Sequence, residues 1–591
     1  MRLRLGESRA KARTARGRSV RGVVRLVPSS APAAVVALIC GWSLLVVLAN
    51  PSGAFPLNDD WSYSRAVETL VDHGHLRFTV WQSMPLIAQV FWGALFTLPF
   101  GFSFFALRVS TAVLGALGVV ATYFLLRELG AGQRIALLGA STLALNPLYF
   151  SLSLTFMTDV PFCALSTLSM LFFLRALRTD AGRDVLVGFA AAAGAILIRQ
   201  PAVIIPLAFA LAYVLRHRLG LRSFVYAILP AGLEILMLVS YPVVLRHTIG
   251  LPAFYISATS LYSGIGDAAR QDWVHVVRII GDRLLVETMY LGAFLLPLSI
   301  ATTSWSLRAA SRRMNWKRVL GPLVIAAGLG GVVVAQGQLM PLSGNVFFDF
   351  GLGPPTLRDT YLLNLPHFPT APHSFWFALT VASVIGSVVL ISRLSTAVSR
   401  VSAAGKSGAR TSRGQMVFVL IVCAAYLLGT AVSTSSPVFS FFDRYVVFVM
   451  PPLMLVLVYG APILRAPRRA ATFAGVAVAL GYGVFAVGAT HDYLAWNRAR
   501  WHAVDDLLGR GISYRKIDGG FEVNAWYRYD PSHPIESTNS FFLRKSDYVV
   551  SFGPLKGYAE MRHYPYSRWM TLGRGKIVVS RRLRGEAQNQ R

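Results

Sequence analysis

Charged residues are scarce in this sequence. Only 14% of its 591 residues are Asp, Glu, Lys or Arg, and 54% are hydrophobic. Average soluble proteins carry roughly 25% charged residues. A soluble chain of this length would expose too much surface to be covered by so few charges. The composition therefore excludes an ordinary soluble globular protein.

Cysteine is also rare. The three cysteines, Cys40, Cys163 and Cys423, each lie inside an apolar segment. Their positions match neither a disulfide framework nor the spacing of a zinc site. We therefore expect them to be small packing residues, and the sequence shows no other set of metal ligands at fixed spacing.

Long uncharged runs are what the sequence has in abundance. Ala33–Ala49, Val109–Leu126 and Ile135–Met157 contain no charge. Runs of this length are needed to cross a hydrocarbon layer about 30 Å thick. The first apolar stretch, about Ala31–Asn50, exceeds the h-region of a cleaved signal peptide, which is about 7–15 residues long, so we interpret it as a retained first helix.

The apolar runs predict a polytopic all-α membrane protein of about thirteen spans. Positively charged loops favour the cytoplasmic side of a membrane. With thirteen spans, every basic cluster between them falls on one side, which supports this number. The spans are predicted near residues 31–50, 104–126, 135–150, 160–177, 186–199, 201–215, 223–245, 288–306, 319–336, 374–392, 416–433, 446–464 and 471–488.

The net charge of +30, from 57 basic and 27 acidic residues, raises the question of a nucleic-acid partner. Nucleic-acid binding is not favoured, because the basic residues occur in short clusters between apolar runs. Residues 1–30 form a basic tail, which we interpret as a cytoplasmic anchor beside anionic lipid. We expect a multi-pass protein of the plasma membrane with a cytoplasmic N-terminus.

The opposite, extracytoplasmic side receives the longer loops and the C-terminus. The transmembrane domain is predicted at residues 31–489, and its first outer loop at 51–103 contains an interfacial helix near Met84–Phe100. Residues 490–591 mix charges, Gly and alternating patterns such as Tyr548–Phe552. We expect them to form a small extracytoplasmic α/β or mostly β domain.

Acidic residues are few, so their positions are informative. Asp59 and Asp60 follow the first span, and Asp159 precedes Val160-Pro161 between the third and fourth spans. The predicted topology places all three at the outer surface, where ionisable groups at the edge of a span are functional candidates. Each acid also suits a simpler explanation, because Asp is a favoured helix N-cap and Pro a favoured early helical residue.

Two arginines are predicted on the same side. Arg199 interrupts an apolar stretch before Gln200-Pro201, and Arg444 precedes the twelfth span. Arginines can grip a phosphate in a bidentate way, and a carboxylate can accept the proton of an attacking hydroxyl. The alternatives are a snorkelling role for Arg199 and an ion pair of Arg444 with Asp443.

These motifs together resemble the C-type (GT-C) membrane glycosyltransferases, in the branch of the protein O-mannosyltransferases and the lipid A aminoarabinose transferase. The resemblance is best over residues 31–215, weaker over 440–465 and absent from the C-terminal tail. Two features depart from the family: Asp-Asp replaces the usual Asp-Glu, and Arg replaces a Lys after the fifth span. The matching motifs, in chain order, are Asp59-Asp60-Trp61-Ser62-Tyr63, Gly101-Phe102-Ser103, Leu107-Arg108, Asn146-Pro147, Asp159-Val160-Pro161 and Arg444-Tyr445 with Pro451-Pro452.

The resemblance implies a GT-C-like fold and an inverting transferase of hexosyl or pentosyl groups. Its donor would be a polyprenyl-phosphate-linked sugar, used on the extracytoplasmic face. Asp59 would be the general base, although the Asp-Asp pair leaves the division of roles between Asp59 and Asp60 open. Asp159 would orient the acceptor or share the base role. Arg199 and Arg444 would bind the donor phosphate, helped by Tyr63 and Tyr445.

Several alternatives stay open at this point. The acceptor is a protein, a lipid or a glycan. A divalent cation such as Mg²⁺ or Mn²⁺, bridging Asp59, Asp60 and phosphate, would suit these oxygen ligands. A transporter or flippase of lipid-linked saccharide would also need outer cations, but such proteins usually show repeat symmetry, which we do not find. A non-catalytic binding subunit and a ligase of lipid-linked polymers are further alternatives.

Overall fold

The structure of this chain, a computed structural model, describes residues 31–257, 266, 269–303, 321–322, 324–331, 337–404, 410–434, 441–461, 469–534, 541 and 546–583. The predicted basic tail at 1–30 lies outside the described residues, and so do residues 319–320, 323 and 332–336 of the predicted span at 319–336. Among the described residues the α-helices are α1 Ala31–Ala49, α2 Asp60–His73, α3 Ile87–Thr97, α4 Phe104–Glu128, α5 Gln133–Ala144, α6 Pro147–Ser153, α7 Asp159–Thr179, α8 Gly182–Ile196, α9 Ile204–His217, α10 Leu221–Thr248, α11 Trp273–Phe294, α12 Leu296–Ala301, α13 Arg358–Tyr361, α14 His373–Ala404, α15 Arg410–Ser433, α16 Met450–Gly460, α17 Arg469–Gly509 and α18 Phe521–Arg528.

Long apolar helices make up most of the described chain. Within it, eight helices are long and apolar enough to cross a membrane: α1, α4, α7, α9 with the turn before it, α10, α14, α15 and α17. The bent pair α5 and α6 would make a ninth. The predicted class, an all-α polytopic membrane protein, is confirmed, whereas the number of thirteen spans stays a prediction.

Burial separates helices that face lipid from helices at the centre of the bundle. Val36, Leu44 and Val47 of α1 are exposed, as suits a helix at the lipid boundary. Most side chains of α4 and α7 are buried, and these two helices pack closely against each other. The first helix therefore lies at the periphery, and α4 and α7 form the core that supports the loops at their ends.

A break between α5 and α6 bends the chain by 61°. Asn146 is extended there, and its side chain accepts a hydrogen bond from the backbone N–H of Tyr149 at 3.0 Å. Pro147 takes the first helical position, where its missing N–H costs nothing. The predicted Asn-Pro motif is thus a helix cap that redirects the chain toward the loop before α7.

The predicted interruption at Arg199 is present. Helix α8 ends at Ile196, Arg199 is extended, and a 3₁₀ turn at Gln200–Val203 with Pro201 in its first turn leads into α9. The loop also receives backbone hydrogen bonds from the start of α3, since Ala88 N–H donates to the carbonyl of Leu197 at 3.3 Å. The interfacial helix predicted near Met84–Phe100 is α3.

Helix α17 joins the membrane domain to the C-terminal domain. It has 41 residues, and at 1.5 Å per residue it is about 60 Å long, twice the thickness of the hydrocarbon layer. The domain boundary predicted at residue 489 therefore falls inside a continuous helix. Asp492 accepts hydrogen bonds from the backbone N–H groups of Trp569 and Met570 at 2.7 and 3.0 Å, which ties the second half of α17 to the C-terminal sheet.

The small C-terminal sheet that the sequence predicts is present. Its strand order is β3-β4-β6-β5, with β3 and β4 parallel and the other pairs antiparallel. A two-stranded antiparallel ribbon, β1-β2, lies in the loop before α13. The strands are β1 Phe347–Phe348, β2 Gly351–Leu352, β3 Ile517–Asp518, β4 Tyr548–Ser551, β5 Tyr558–Arg568 and β6 Gly573–Arg582.

Helices α11 and α14 cross at a pair of glycines. A Cβ atom built on Gly386 would overlap the carbonyl oxygen of Gly292, so only glycine allows this approach. Next to the crossing, Ser387 donates a hydrogen bond to the carbonyl of Thr288 at 2.9 Å. Small residues and hydroxyl hydrogen bonds are the usual contacts between helices in lipid.

We expect Gly386→Ala to destabilise the membrane domain by about 1–3 kcal/mol, because the added methyl group must push α11 and α14 apart. Gly429→Ala is the matched control, since a Cβ at Gly429 of α15 meets nothing within 4 Å. Thermal unfolding of both purified variants in one detergent measures the difference. Equal melting temperatures would contradict this account of the crossing.

Candidate active site

A cavity of about 370 Å³ lies where the loops after α1, before α7 and before α16 meet. Six of the seven residues singled out by the sequence line it, although they are up to 386 positions apart. The six are Asp59, Tyr63, Asp159, Arg199, Arg444 and Tyr445. Most other lining residues are aromatic or small polar groups: Asn58, Trp81, Ser83, Met84, Met157, Thr158, Phe254, Asn345, Pro354, Thr356, Tyr361, Phe442 and Phe521.

Asp59 stands at the N-cap position of α2, but its side chain caps nothing. One carboxylate oxygen, Oδ1, accepts a hydrogen bond from Trp81 Nε1 at 3.0 Å, and Oδ2 lies 3.4 Å from Arg444 Nη2. The side chain keeps 18% of its surface exposed. The structure therefore does not support the simple helix-cap explanation, and it presents Asp59 to the cavity.

Asp60 corrects the sequence-based assignment, because it does not line the cavity. It is buried, and its oxygens accept hydrogen bonds from the backbone N–H groups of Leu57 at 2.5 Å and Phe156 at 3.0 Å. Burial raises the pKa of Asp60 to about 7, against the opposing effect of these two hydrogen bonds and of Arg108. Asp60 thus fastens the loop after α1 to the loop before α7, and it is a structural residue.

Arg108 holds the same loop from α4. It is almost fully buried, and its guanidinium donates to the carbonyls of Pro51 at 2.8 Å, Gly53 at 2.9 Å and Phe55. This side chain belongs to the Leu107-Arg108 motif noted in the sequence. Its role is to close the turn that leads into Asp59 and Asp60.

Asp159 and Arg199 form the tighter of the two ion pairs in the cavity. Arg199 Nη1 lies 2.6 Å from Asp159 Oδ1, and the side chain of Asp159 is 3% exposed. Asp159 is the first residue of α7 and follows the N-cap residue, Thr158. Its second oxygen, Oδ2, is buried without a hydrogen-bond partner among the described residues. That oxygen is available to a ligand in the cavity.

Arg444 lies between Asp59 and the loop before β1. Its Nη1 donates to Asn345 Oδ1 at 3.0 Å, and its guanidinium carbon lies 4.9 Å from the ring centre of Phe442. Asp443, the partner considered from the sequence, instead accepts three backbone N–H groups, from Asn345, Val346 and Phe347. Arg444 therefore turns to the cavity because Asp443 is already satisfied by the neighbouring loop.

The two tyrosines predicted at the site both line it. Burial raises the pKa of Tyr63 well above its usual value, so the phenol is a hydrogen-bond donor at neutral pH. The ring of Tyr445 lies 5.5 Å from the guanidinium carbon of Arg199, and its carbonyl accepts a hydrogen bond from Tyr426 at 2.8 Å. These contacts fix the aromatic side of the cavity beside the Asp159–Arg199 pair.

Sequence reasoning missed Trp81 and Asn345. Trp81 orients Asp59 through its indole N–H, and Asn345 accepts from both Arg444 and the Asn58 amide, the latter at 3.4 Å. Neither residue carries a charge or belongs to a motif, so only the folded chain brings them to the acids. For Trp81 the sequence offers one indication: the residue lies in the same predicted outer loop as the acidic motif.

The C-terminal domain reaches the site through a buried network that the sequence did not indicate. Glu522, at the start of α18, accepts the backbone N–H of Asn58 at 3.0 Å. Arg500 of α17 donates to Glu522 at 2.8 Å, and neither side chain is exposed. Thr356 bonds to both of these residues. The residue next to Asp59 is therefore held from the C-terminal part of the chain.

Aromatic packing covers the same contact. Trp61, fully buried in α2, lies 5.1 Å from Phe541 and 5.6 Å from Tyr529, measured between ring centres. Trp81 packs against Phe521 at 5.7 Å and against Phe254 at 4.8 Å. The C-terminal domain thus forms one wall of the cavity and does not hang free of the membrane domain.

The residues present do not fit a metal ion shared by Asp59 and Asp60. Both oxygens of Asp60 are used by backbone N–H groups outside the cavity. In the described part of the chain, no group of three or more His, Cys, Asp or Glu side chains is close enough to hold a metal ion.

Residues 85–245 match the family model described as dolichyl-phosphate-mannose-protein mannosyltransferase. The matched segment contains Asp159 and Arg199 and leaves out Asp59 and Arg444. The match confirms the predicted resemblance to the GT-C glycosyltransferases. No curated protein sequence matches the chain.

Three solved structures are similar to this chain at low identity. One is ArnT from Cupriavidus metallidurans bound to undecaprenyl phosphate, with 13% identity, coverage of 87% of this chain and 76% of that chain, and a TM-score of 0.42. The second is the oligosaccharyltransferase of Archaeoglobus fulgidus tethered with an acceptor peptide, with 12% identity, coverage of 88% and 69%, and a TM-score of 0.41. The third is the protein O-mannosyltransferase complex of S. cerevisiae bound to the sugar donor, with 15% identity, coverage of 36% and 34%, and a TM-score of 0.29.

We expect Asp60→Asn to lower stability by about 1–3 kcal/mol, because an amide offers one acceptor to two buried N–H groups. Asp59→Asn should lower stability less, since Asp59 is partly exposed, holds no backbone group and leaves Arg444 close to the charge of Asp159. Thermal unfolding of the two purified variants checks this contrast. If Asp59→Asn proved the more destabilising, the division of roles between the two acids would be wrong.

Removing the charge of Glu522 should destabilise the chain strongly. Glu522→Gln leaves the buried Arg500 guanidinium without a counter-charge, which typically costs about 3–5 kcal/mol. Glu560→Gln, on the exposed part of β5, is the matched control. Limited proteolysis and thermal unfolding report whether the C-terminal domain separates from the membrane domain, and a melting temperature equal to the control's would refute the buried network.

Proposed function

We propose that this chain, a membrane glycosyltransferase of the GT-C type, transfers a sugar from a polyprenyl-phosphate-linked donor to a hydroxyl group of an acceptor. One observation carries the proposal: two carboxylates and two guanidinium groups from four distant segments line a single cavity at one membrane surface. Group transfer from a lipid phosphate needs this combination of a proton acceptor and fixed positive charge.

Arg199 and Arg444 hold the donor phosphate in this proposal. Each guanidinium has five N–H groups, and each uses only one or two of them within the described chain. The free N–H groups can grip phosphate oxygens in a bidentate way. The matching family model, by its own description, concerns enzymes that use dolichyl-phosphate mannose, which supports a polyprenyl-phosphate monosaccharide as the donor class.

Asp59 is the proposed general base. The acceptor oxygen attacks the anomeric carbon, and its proton passes to the carboxylate of Asp59 as the new C–O bond forms. The bond between the anomeric carbon and the phosphate oxygen breaks at the same time, and the polyprenyl phosphate leaves with both electrons. The reaction inverts the anomeric configuration because the attack comes from the side opposite the leaving phosphate.

The remaining cavity residues support this step. The unpartnered Oδ2 of Asp159 accepts a hydrogen bond from the acceptor or from a sugar hydroxyl, while Arg199 keeps the carboxylate in place. Trp81 holds Asp59 in the orientation that faces the cavity. Tyr63 and Tyr445 contact the phosphate, Tyr63 as a neutral donor.

The acceptor side of the cavity is proposed to include the C-terminal domain. Phe521 of that domain lines the cavity together with Trp81 and Phe254, and aromatic faces suit the apolar faces of sugars. The acceptor class is a protein, lipid or glycan hydroxyl. We place the cavity on the extracytoplasmic side of the plasma membrane, because the basic loops of the sequence lie at the other ends of the helices.

The test is transfer from a panel of radiolabelled polyprenyl-phosphate sugars to membrane fractions. We expect one donor to label an acceptor with the wild-type chain. Asp59→Asn should lower the transfer rate by about 10²–10⁴-fold, the range for loss of a general base. Asp159→Asn should lower it by about tenfold or more, through loss of a charged hydrogen-bond acceptor. Asp72→Asn, on the exposed part of the same helix α2, is the control and should transfer at the wild-type rate.

Other outcomes separate the alternatives. Donor that binds or crosses the bilayer without any transfer would support a flippase or a non-catalytic binding subunit. Wild-type turnover in purified Asp59→Asn would remove Asp59 as the base, even if the transferase activity itself stood.

A further inference from the structure

A second polar cavity lies at the opposite ends of the helices from the active site. It has a volume of about 310 Å³ and is formed by the end of α9 and the start of α15. Helix α9 begins just after Arg199 and runs for 14 residues, so its far end lies about 20 Å from the active-site surface. The lining residues are Ala212, Leu215, Arg216, Arg218, Arg413, Gly414 and Val417.

Three arginines meet in this cavity, and its lining contains no carboxylate. Arg216 makes one long contact, 3.5 Å from Nη2 to Asp180 Oδ2, and Asp180 is shared with His217 at 2.9 Å. Its other nitrogen, Nη1, is buried without a partner among the described residues. Within the same part of the chain, no side-chain partner is found for Arg218 or Arg413. Three adjacent guanidinium groups repel one another unless an anion lies between them.

An apolar stripe leads away from the arginines along α9. Leu207, Leu211 and Leu215 are spaced by four residues, so they share one helix face. They are exposed to 42%, 48% and 66% of their surface. Eight residues of helix extend about 12 Å, close to half the thickness of the hydrocarbon layer. The stripe therefore has the length of one membrane leaflet and ends at the cationic cavity.

We propose that this cavity binds the phosphate of one anionic phospholipid from the leaflet opposite the active site, with an acyl chain along the leucine stripe. Basic pockets between transmembrane helices are suited to anionic head groups. Arginine binds phosphate oxygens in a bidentate way and is more weakly hydrated than lysine. A Cβ at Gly414 would meet nothing within 4 Å, which leaves room for the head group beside α15.

A phospholipid fits these features better than a soluble phosphate does. A soluble anion would use the arginines and would gain nothing from the leucine stripe that continues from them. The lipid uses both parts at once, because Leu215, the last residue of the stripe, lines the cavity together with the arginines. The site is independent of the proposed transferase reaction and would serve to anchor α9, whose other end follows Arg199.

The test measures lipid retention by the full chain. The protein is placed in nanodiscs of equal parts phosphatidylglycerol and phosphatidylcholine, extracted in detergent, and its bound lipids are counted by native mass spectrometry. We expect the wild type to retain one phosphatidylglycerol in preference to phosphatidylcholine. The combined Arg216→Gln, Arg218→Gln and Arg413→Gln variant should lose this retention by about tenfold or more.

A matched control carries Arg134→Gln, Arg183→Gln and Arg469→Gln, three exposed arginines at the same membrane face outside the cavity. It should retain the lipid as the wild type does. Arg413→Gln alone, which changes one exposed side chain, keeps the test decisive if the combined variant does not fold, and it should weaken retention about fivefold.

Three results would overturn the proposal. Equal retention of the two lipids by the wild type would show that no anionic site exists. An equal loss in the control variant would reduce the effect to general surface charge. Displacement of the bound lipid by excess inorganic phosphate would identify the site as one for a soluble anion.

Discussion

The ion pairs of Asp159 with Arg199 and of Asp59 with Arg444 are the constraint around which the cavity end of this protein is arranged. Charges at the edge of a hydrocarbon layer are poorly solvated, and an unpaired one costs several kcal/mol. Pairing each acid with an arginine removes that cost while leaving N–H groups and one carboxylate oxygen unused. The same pairing therefore stabilises the cavity and leaves it suited to the proposed lipid phosphate.

The supporting contacts come from several loops that reach this surface. Asp60 and Arg108 close the turn before Asp59 by binding backbone groups, and Asp443 does the same for the loop that presents Asn345. Buried charged groups that bind several backbone N–H or carbonyl groups act as fixed points of the fold. The aspartates at this surface thus divide into two roles. Asp60 and Asp443 accept backbone N–H groups and hold loops, whereas Asp59 and Asp159 pair with arginine and face the cavity.

Helix α17 explains why the C-terminal domain takes part in the site. It is long enough to cross the bilayer and continue as far again outside it, so it carries the sheet back over the loops at the membrane surface. Arg500 and Glu522 then join the helix and the domain to Asn58, beside the proposed base. A rigid connection of this kind couples the position of Asp59 to the docking of the domain, whereas a flexible linker would not.

The sequence by itself determined the class of protein, the positions of most helices and the small C-terminal sheet, and it pointed to six residues that the fold brings into one cavity. These follow from composition, from runs of apolar residues and from the cost of placing rare charges at a membrane edge, which are properties of short segments. The helix break at Arg199-Gln200-Pro201 was predicted for the same reason, whereas the break at Asn146-Pro147 lies inside the predicted span at 135–150. Only the tertiary structure decided that Asp59 and not Asp60 faces the cavity, and that Arg444 pairs across the site and not with Asp443. It also showed that Trp81, Asn345 and Glu522 hold the groups around the cavity in place. Those outcomes depend on contacts between segments that are far apart in the chain, and no local pattern records which hydrogen-bond partner a side chain will meet when the helices pack.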